Sequence, residues 1–390
     1  MPLKPLKLFL QVMELDKMKK ILYFITTSEW GGASRYVYNL CRFEKEKGNK
    51  VYLAVGSRGK LSDKIEELGI QVFIINSVKR NIDPINDLKS ILRIRRLIKI
   101  LKPDIIHLNS SKAGVIGRVA CQGIRNRKTK VVFTVHGWAF TDGVPSRLKK
   151  SLFNYIEKKV SGLTDLFICV SNYDKFIGKR NRVLTPENNA VVIHNGAVAP
   201  QITAINYSSH FPIRLVMIAR FSKQKDQESL IRAASTLPRD SYHLTFVGAG
   251  ETLEHNKEIV SKLQLDKNIE FVGFKENVDK FLINNDVFIL STHYEGLPIS
   301  IIEAMSYGLP VIASNVGGND ELVENNVNGY LVNSIYEMNL AIRKLINNPS
   351  EVKRLGLNSQ KKYMSEFTLN RCMKLTDAQY NLLYRKKTRI

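Results

Sequence analysis

The chain has 390 residues, 44% of them hydrophobic, and a formal net charge of +23. That length exceeds the size at which single cores stop growing, so two folded domains are expected. No apolar run reaches the roughly 18 residues of a membrane span and no segment has the order of a cleaved signal, while Cys41, Cys121, Cys169 and Cys372 form no C-x-x-C pair, against a metal site or disulfide framework.

Residues 1–17 show no hydrophobic period and Met18 opens an abrupt apolar run, so the expectation is either that Met18 is the natural start or that the preceding segment is a loose extension. From there strand-like and helical patterns alternate. Strands are predicted at 21–25, 51–55, 71–75, 105–108, 131–135 and 166–170, with helices near 33–47, 61–68, 86–101, 112–124 and 146–160. Short buried strands alternating with helices indicate a parallel sheet covered on both faces. The pattern restarts at 190–193 and continues with strands at 214–218, 243–247, 269–272, 287–290 and 311–313. Helices near 227–236, 256–264, 277–283 and 299–307 separate them. Residues 195–210 have few periodic apolar positions and read as the linker. Beyond 335 the chain is helical, and 379–384 is placed to pack back across a cleft between two doubly wound α/β halves.

Ligands of such sheets gather at the carboxyl ends of the strands, and the polar motifs of this chain fall there. After the first strand, Gly31-Gly32 makes a turn whose amides can approach a phosphate without a Cβ in the way. It is neither G-x-G-x-x-G nor a P-loop ending in Gly-Lys-Ser/Thr, which counts against a dehydrogenase and an ATPase. His107 ends the fourth strand, and with Ser111 and Lys112 it offers polar groups suited to an acceptor. His136, just before Gly137, can bond a sugar hydroxyl or a phosphate, or serve only as a turn residue. Arg220 and Lys225 share one loop, where a guanidinium fork and a point-charge ammonium can neutralise a diphosphate as it departs. Solvated loop charge is the commoner reason for such a run, and Lys223 competes with Lys225. Gly248 and Gly250 form a turn able to admit a nucleobase, and Gly317-Gly318 one able to admit phosphate or sugar.

The most telling element is Glu295, Gly296, Leu297, Pro298, Ile299 and onward to Glu303, a strand end, a glycine turn and a helix start. Pro298 suits the first helical turn, and the free amides of Ile299 and Ser300 would leave the positive helix end open to phosphate. Glu303 lies about five residues beyond Pro298, or roughly 7 Å along the axis, so it can accept hydrogen bonds from hydroxyls attached to that phosphate. This geometry suits a nucleotide sugar.

In this order the motifs resemble the retaining glycosyltransferases of family 4, over about residues 18–370. The resemblance implies a GT-B fold of two Rossmann-like domains: residues 18–197 for the acceptor, 205–365 for the nucleotide sugar, and a helix at 366–390 that crosses back. It further implies Glu295 beside the donor sugar, the backbone of Gly296 to Ile299 on the diphosphate, Glu303 on the ribose, and Arg220 and Lys225 on the leaving group. His136 and Gly32 would face the transferred sugar, with Gly31, Asn195, Gly248 and Gly250 completing the donor set. His194 stands where the family often has Pro, and Gln224-Lys225-Asp226 where it often has Glu-Lys-Gly. No Asp-x-Asp motif occurs, so metal-independent catalysis without a cofactor is expected. Retention without an evident enzymic nucleophile implies a front-face path, in which the acceptor hydroxyl attacks on the side from which the nucleotide leaves.

Residues 1–195 hold 36 Lys and Arg against 16 Asp and Glu, which places +20 of the +23 in the first half. A one-sided basic half suggests a polyanionic partner, with plain solvated charge as the alternative. The runs 91–102 and 146–155 mix apolar and cationic residues at helical spacing, as helices lying on anionic lipid do. A helix buried on one face and solvated on the other fits them as well. Aromatic residues do not interleave with these runs as a stacking platform requires, so no nucleic acid is expected. Resemblance to bacterial cell-surface polysaccharide transferases, at 110–114 and 136–140, implies a polyprenyl-diphosphate-linked sugar as acceptor. The expectation is a cytoplasmic enzyme, peripheral on the inner face of the membrane, that uses a nucleotide diphosphate sugar, a UDP-sugar first. A nucleotide-sugar 2-epimerase of the same fold is the alternative, against which Glu295, Glu303, Arg220 and Lys225 argue together.

Overall fold

A computed structural model describes residues 18–79, 81–123, 129–141, 146–200 and 211–388. The reading of 1–17 as an extension, and of 201–210 as linker, lies outside the described residues. Two parallel sheets organise the chain. The first runs β3-β2-β1-β4-β5-β6-β7, from β1 (Lys20–Ile25), β2 (Lys50–Val55), β3 (Gln71–Ile74), β4 (Ile105–Leu108), β5 (Lys130–Val135), β6 (Leu166–Cys169) and β7 (Ala190–Val192). The second runs β10-β9-β8-β11-β12-β13, from β8 (Ile213–Ile218), β9 (Tyr242–Val247), β10 (Ile269–Phe271), β11 (Val287–Leu290), β12 (Val311–Ser314) and β13 (Gly329–Val332). Central strands such as β4 and β11 are buried at every position, which is why they read as unbroken apolar runs.

Residues 190–193, expected to open the second half, instead form the edge of the first sheet, where Phe167 pairs with Ala190 and Cys169 with Val192. A three-residue strand carries no period that could assign it to one sheet. The second sheet gains an unexpected strand in β13, which opens on Gly329 and pairs with β12. Also unexpected is the helix Asn172–Arg180, whose composition is mostly polar and whose start is fixed by the Ser171 side chain accepting from the Asp174 amide.

Each sheet reverses its order at one place, between β1 and β4 and between β8 and β11. Such switch points open crevices at the carboxyl ends of the strands. Here the loops at both crevices face each other across one cavity of about 1160 Å³. The chain passes between the halves twice, side by side: Ala197 receives from the amide of Leu369 at 2.8 Å and donates to the Phe367 carbonyl at 3.1 Å. The last helix, Leu369–Thr388, then packs on Gly32–Glu46 of the first half. Its Cys372, Met373, Tyr380 and Leu383 enter the core that holds Tyr23 and Leu40.

Candidate functional site

The helix Ile299–Ser306 begins where the pattern placed it, with Pro298 at its N-cap in an extended conformation, one place before the first turn in which it was expected. No side chain caps it among the described residues, so its first amides remain available to an anion. The turn before it is fixed from both halves. Asn195 Nδ2 donates to the Leu297 carbonyl at 2.9 Å, and the Gly318 amide donates to the Gly296 carbonyl at 3.1 Å.

Glu295 and Lys225 form an ion pair with each other, and Thr292 Oγ1 donates to the same Glu295 oxygen at 2.9 Å. Their side chains are only 8% and 15% exposed, so the pair sits in the cavity wall with its charges matched. Arg220 stands exposed in the same wall, in no ion pair among the described residues. Glu303, one helical turn beyond Ile299, is buried and engaged by the guanidinium of Arg35 from the opposite half. Burial pushes the Glu303 carboxyl up, and the Arg35 charge pulls against that shift.

The first half supplies Gly31 and Gly32 at the start of the helix Gly32–Glu46, and His136 after β5. His136 Nε2 is buried without a hydrogen-bond partner among the described residues, and burial lowers its pKa to about 4. The ring is therefore neutral near pH 7, able to exchange a hydrogen bond with a ligand but not to supply charge. Ser111 and Lys112 line the same wall, with Lys112 Nζ held by Asp87 at 2.6 Å and by the Asn81 carbonyl at 2.9 Å.

Two expected residues stand outside the cavity. His107 is fully buried, its Nδ1 2.5 Å from the Tyr380 hydroxyl and its Nε2 2.6 Å from Thr134 Oγ1. Burial lowers its pKa to about 3, so it is a neutral connector between β5 and the last helix, and its expected contact with an acceptor is corrected. The strand pleat turns this side chain inward, a direction that the sequence pattern does not fix. Gly250 is a packing position: a Cβ there would lie 2.0 Å from the Phe221 carbonyl oxygen. Gly248 approaches the Ala219 carbonyl just as closely, yet it lines the cavity, as do Gly296, Leu297, Pro298 and Ile299.

Sequence reasoning assigned no role to Arg35 or Asp174. Asp174 lines the cavity beside Gly296, accepts from Ser171 Oγ at 3.0 Å, and is pushed up to about 7 by burial. The spacing Ser171-x-x-Asp174 is a helix-start signal that could have located it. Nothing local marks Arg35, whose partner is 268 residues away.

Comparisons with known proteins bear on what this cavity does. Residues 30–198 match the family model described as Glycosyltransferase Family 4, and residues 204–362 match Glycosyl transferases group 1. The chain is 31% identical to the UDP-Gal:alpha-D-GlcNAc-diphosphoundecaprenol alpha-1,3-galactosyltransferase of Escherichia coli over 294 residues, 70% of this chain and 73% of that protein. It is 29% identical to the O-antigen biosynthesis glycosyltransferase WbnH of Escherichia coli, over 90% of this chain and 96% of that one. Among solved structures, Anabaena HepE in complex with UDP and glucose superimposes with a TM-score of 0.76 at 19% identity, covering 93% of this chain and 99% of that one. The two facing Rossmann-like sheets are thus the GT-B fold.

Proposed function

Since the chain belongs to the family 4 glycosyltransferases, we propose that it moves a sugar, with retention, from a UDP-sugar to a polyprenyl-diphosphate-linked glycan in bacterial cell-surface polysaccharide synthesis. The observation that carries this reading is the convergence of an uncapped helix start, Glu303 one turn beyond it, and Arg220 with Lys225 in a cavity closed by Gly32 and His136. A volume of about 1160 Å³ lies above the usual range for sites of a single small ligand, enough for two substrates. The names of the similar galactosyltransferase, with its UDP-sugar donor and diphosphoundecaprenol acceptor, and of HepE with UDP and glucose support the choice of substrates.

In this scheme Glu303 accepts from the ribose hydroxyls, and the helix amides with Arg220 and Lys225 hold the diphosphate. As the bond from the anomeric carbon to the phosphate oxygen breaks, negative charge grows where these groups are already aimed. The acceptor hydroxyl attacks the anomeric carbon from the same face, and its proton passes to the departing phosphate oxygen. The leaving charge is met by protein cations and amides, so the reaction as proposed needs no metal. His136, neutral, bonds the transferred sugar.

The acceptor would reach the cavity from a lipid surface. The helices Pro84–Leu101 and Arg147–Ser161 flank Ser111–Cys121 on one face of the first sheet. Ile85, Leu88 and Leu92 on one, and Leu148, Leu152 and Tyr155 on the other, are exposed among Lys89, Arg93, Arg96 and Lys149. Phe153, on the same helix as Leu152, lines the cavity. No helix among the described residues is long and apolar enough to cross a membrane, and this face is suited to lie on the inner surface of one. The test is an incubation with UDP-sugars, with and without a polyprenyl-diphosphate-linked acceptor, followed by assignment of the anomeric configuration. Retained configuration in an acceptor-dependent product is expected; an inverted linkage, or conversion of the donor to its 2-epimer without acceptor, would overturn the reading.

A further inference from the structure

We propose that Arg35 is a donor-binding residue that exchanges partners, from Glu303 in the empty cavity to the donor diphosphate in the filled one. This rests on the reading of Glu303 as the ribose site. Arg35 belongs to the helix Gly32–Glu46 of the first half and Glu303 to Ile299–Ser306 of the second, so their ion pair spans the cavity. The guanidinium occupies Glu303 Oε1, an oxygen that a ribose diol would need. Its side chain is 34% exposed against 11% for Glu303, so the arginine is the partner with room to move.

Once a diol takes Glu303, a displaced guanidinium inside a half-enclosed cavity is left without its counter-charge, which is costly unless another anion is in reach. The donor supplies that anion. Ile299 and Glu303 are four residues apart on one helix, about 6 Å at the helical rise, so an arginine that reaches Glu303 is within one turn of a diphosphate on the Ile299 amides. Gly32, three residues before Arg35, already faces that helix start: a Cβ on it would lie 3.7 Å from Ile299 Cδ1. The planar fork of arginine matches two phosphate oxygens as well as it matches a carboxylate.

A second contact across the cavity keeps the halves together during the exchange. Lys60 and Lys64 of the first half both pair with Glu276 of the second, Lys64 at 2.7 Å, and Lys60 lies over the Phe274 ring at 6.0 Å. Closure then passes from a protein–protein ion pair to a protein–donor one, and departure of the nucleoside diphosphate restores the first.

An interdomain strut and an exchanging residue differ in how they affect a nucleoside and its diphosphate. Uridine would meet Arg35 only as a competitor for Glu303, whereas UDP would gain its charge. Affinities of both are measured by titration for the intact protein, Arg35→Ala and Arg35→Lys, with the charge-keeping variant available if the truncation folds poorly. We expect Arg35→Ala to bind uridine as tightly as the intact protein or more so, and UDP roughly ten- to hundredfold more weakly. Arg35→Lys should recover part of the UDP loss. If both ligands change by the same factor, the arginine is only a strut and the exchange is overturned. If the intact protein binds no UDP, the donor-site reading itself falls, an outcome separate from the first.

Discussion

His194 Nε2 lies 2.8 Å from a carboxylate oxygen of Glu321, across the junction of the two halves. The same carboxylate accepts from the backbone amides of Asn172 at 2.9 Å and Tyr173 at 3.0 Å, so a residue of the second half caps the helix Asn172–Arg180 of the first. His194 is thus part of an interdomain hydrogen-bond cluster in this chain.

Glu321→Ala should cost roughly 1–2 kcal/mol, as the loss of a helix cap does. The share of that loss due to His194 is separated by His194→Ala, which removes one of these interdomain contacts and leaves both amides bonded. Denaturant midpoints of the two variants check this, and equal losses would place the stabilisation in the His194 contact alone.

Arg220 and Glu303 should separate kinetically. Arg220→Ala removes an exposed cation with no partner among the described residues, so it should lower kcat by about 10²–10³-fold, the range for a lost charge-stabilising donor, with little change in KM. Glu303→Ala should raise the donor KM and leave kcat nearer its original value. Steady-state kinetics with varied donor decide the matter; unchanged parameters in both variants would remove both residues from the donor site.

Lys225 and Glu295 present the opposite situation, because their charges are buried against each other. Lys225→Ala leaves a buried carboxylate with Thr292 as its remaining hydrogen-bond donor among the described residues, and should destabilise the protein by about 3–5 kcal/mol as well as reduce turnover. Lys225→Met with Glu295→Leu should be more stable than the single Lys225 variant while remaining inactive. Unfolding curves and activity together test this, and a double variant less stable than the single would show that the pair itself holds the loop.

The parallel architecture was legible because buried strands and amphipathic helices leave distinct periods, and most of the cavity wall was legible because strand-end glycines and charges mark the ligand edge of such sheets. What stayed hidden was direction and partnership. His107 and His136 both follow apolar strand residues, yet one is bonded inside the sheet and the other lines the cavity. Ala190–Val192 is too short for its pattern to name its sheet. Arg35 looked like an ordinary helix residue until the second half placed Glu303 against it. Pairings between halves depend on how two domains meet, which no local spacing encodes.

The seam of the last helix should respond to pH. Burial, and then the charge of Asp377, push the Glu44 carboxyl up to about 7, opposed by Lys19, the Asn49 hydrogen bond and Lys47. Its unfolded value is about 4.3, so between about 4.3 and 7 the folded state holds a proton that the unfolded state has lost. The stability from this group is full below about 4.3 and disappears as pH rises through 7. Glu44→Gln mimics the protonated form and should gain on the original protein from about pH 5 to about pH 8, as read from unfolding midpoints. A difference independent of pH would show that Glu44 is ionised throughout.

The lipid-facing role proposed for the first half rests on side chains that stand largely exposed. Leu148 is 84% exposed and Leu152 47%, one helical turn apart on Arg147–Ser161, with Lys149 between them and the Lys159 ammonium 5.4 Å from the Tyr155 ring. Replacing both leucines by Asp should leave thermal unfolding nearly unchanged, because little buried surface is lost. Binding to phosphatidylglycerol vesicles should fall by roughly tenfold or more per residue, since a leucine that enters the lipid interface contributes on the order of 1.5 kcal/mol and an added carboxylate is repelled by the anionic surface. Transfer to a short-chain, water-soluble acceptor should persist in the same variant. Co-sedimentation with anionic and neutral vesicles provides the measurement: undiminished binding to anionic vesicles would move the membrane contact away from this helix, and equal binding to neutral ones would remove charge from the account.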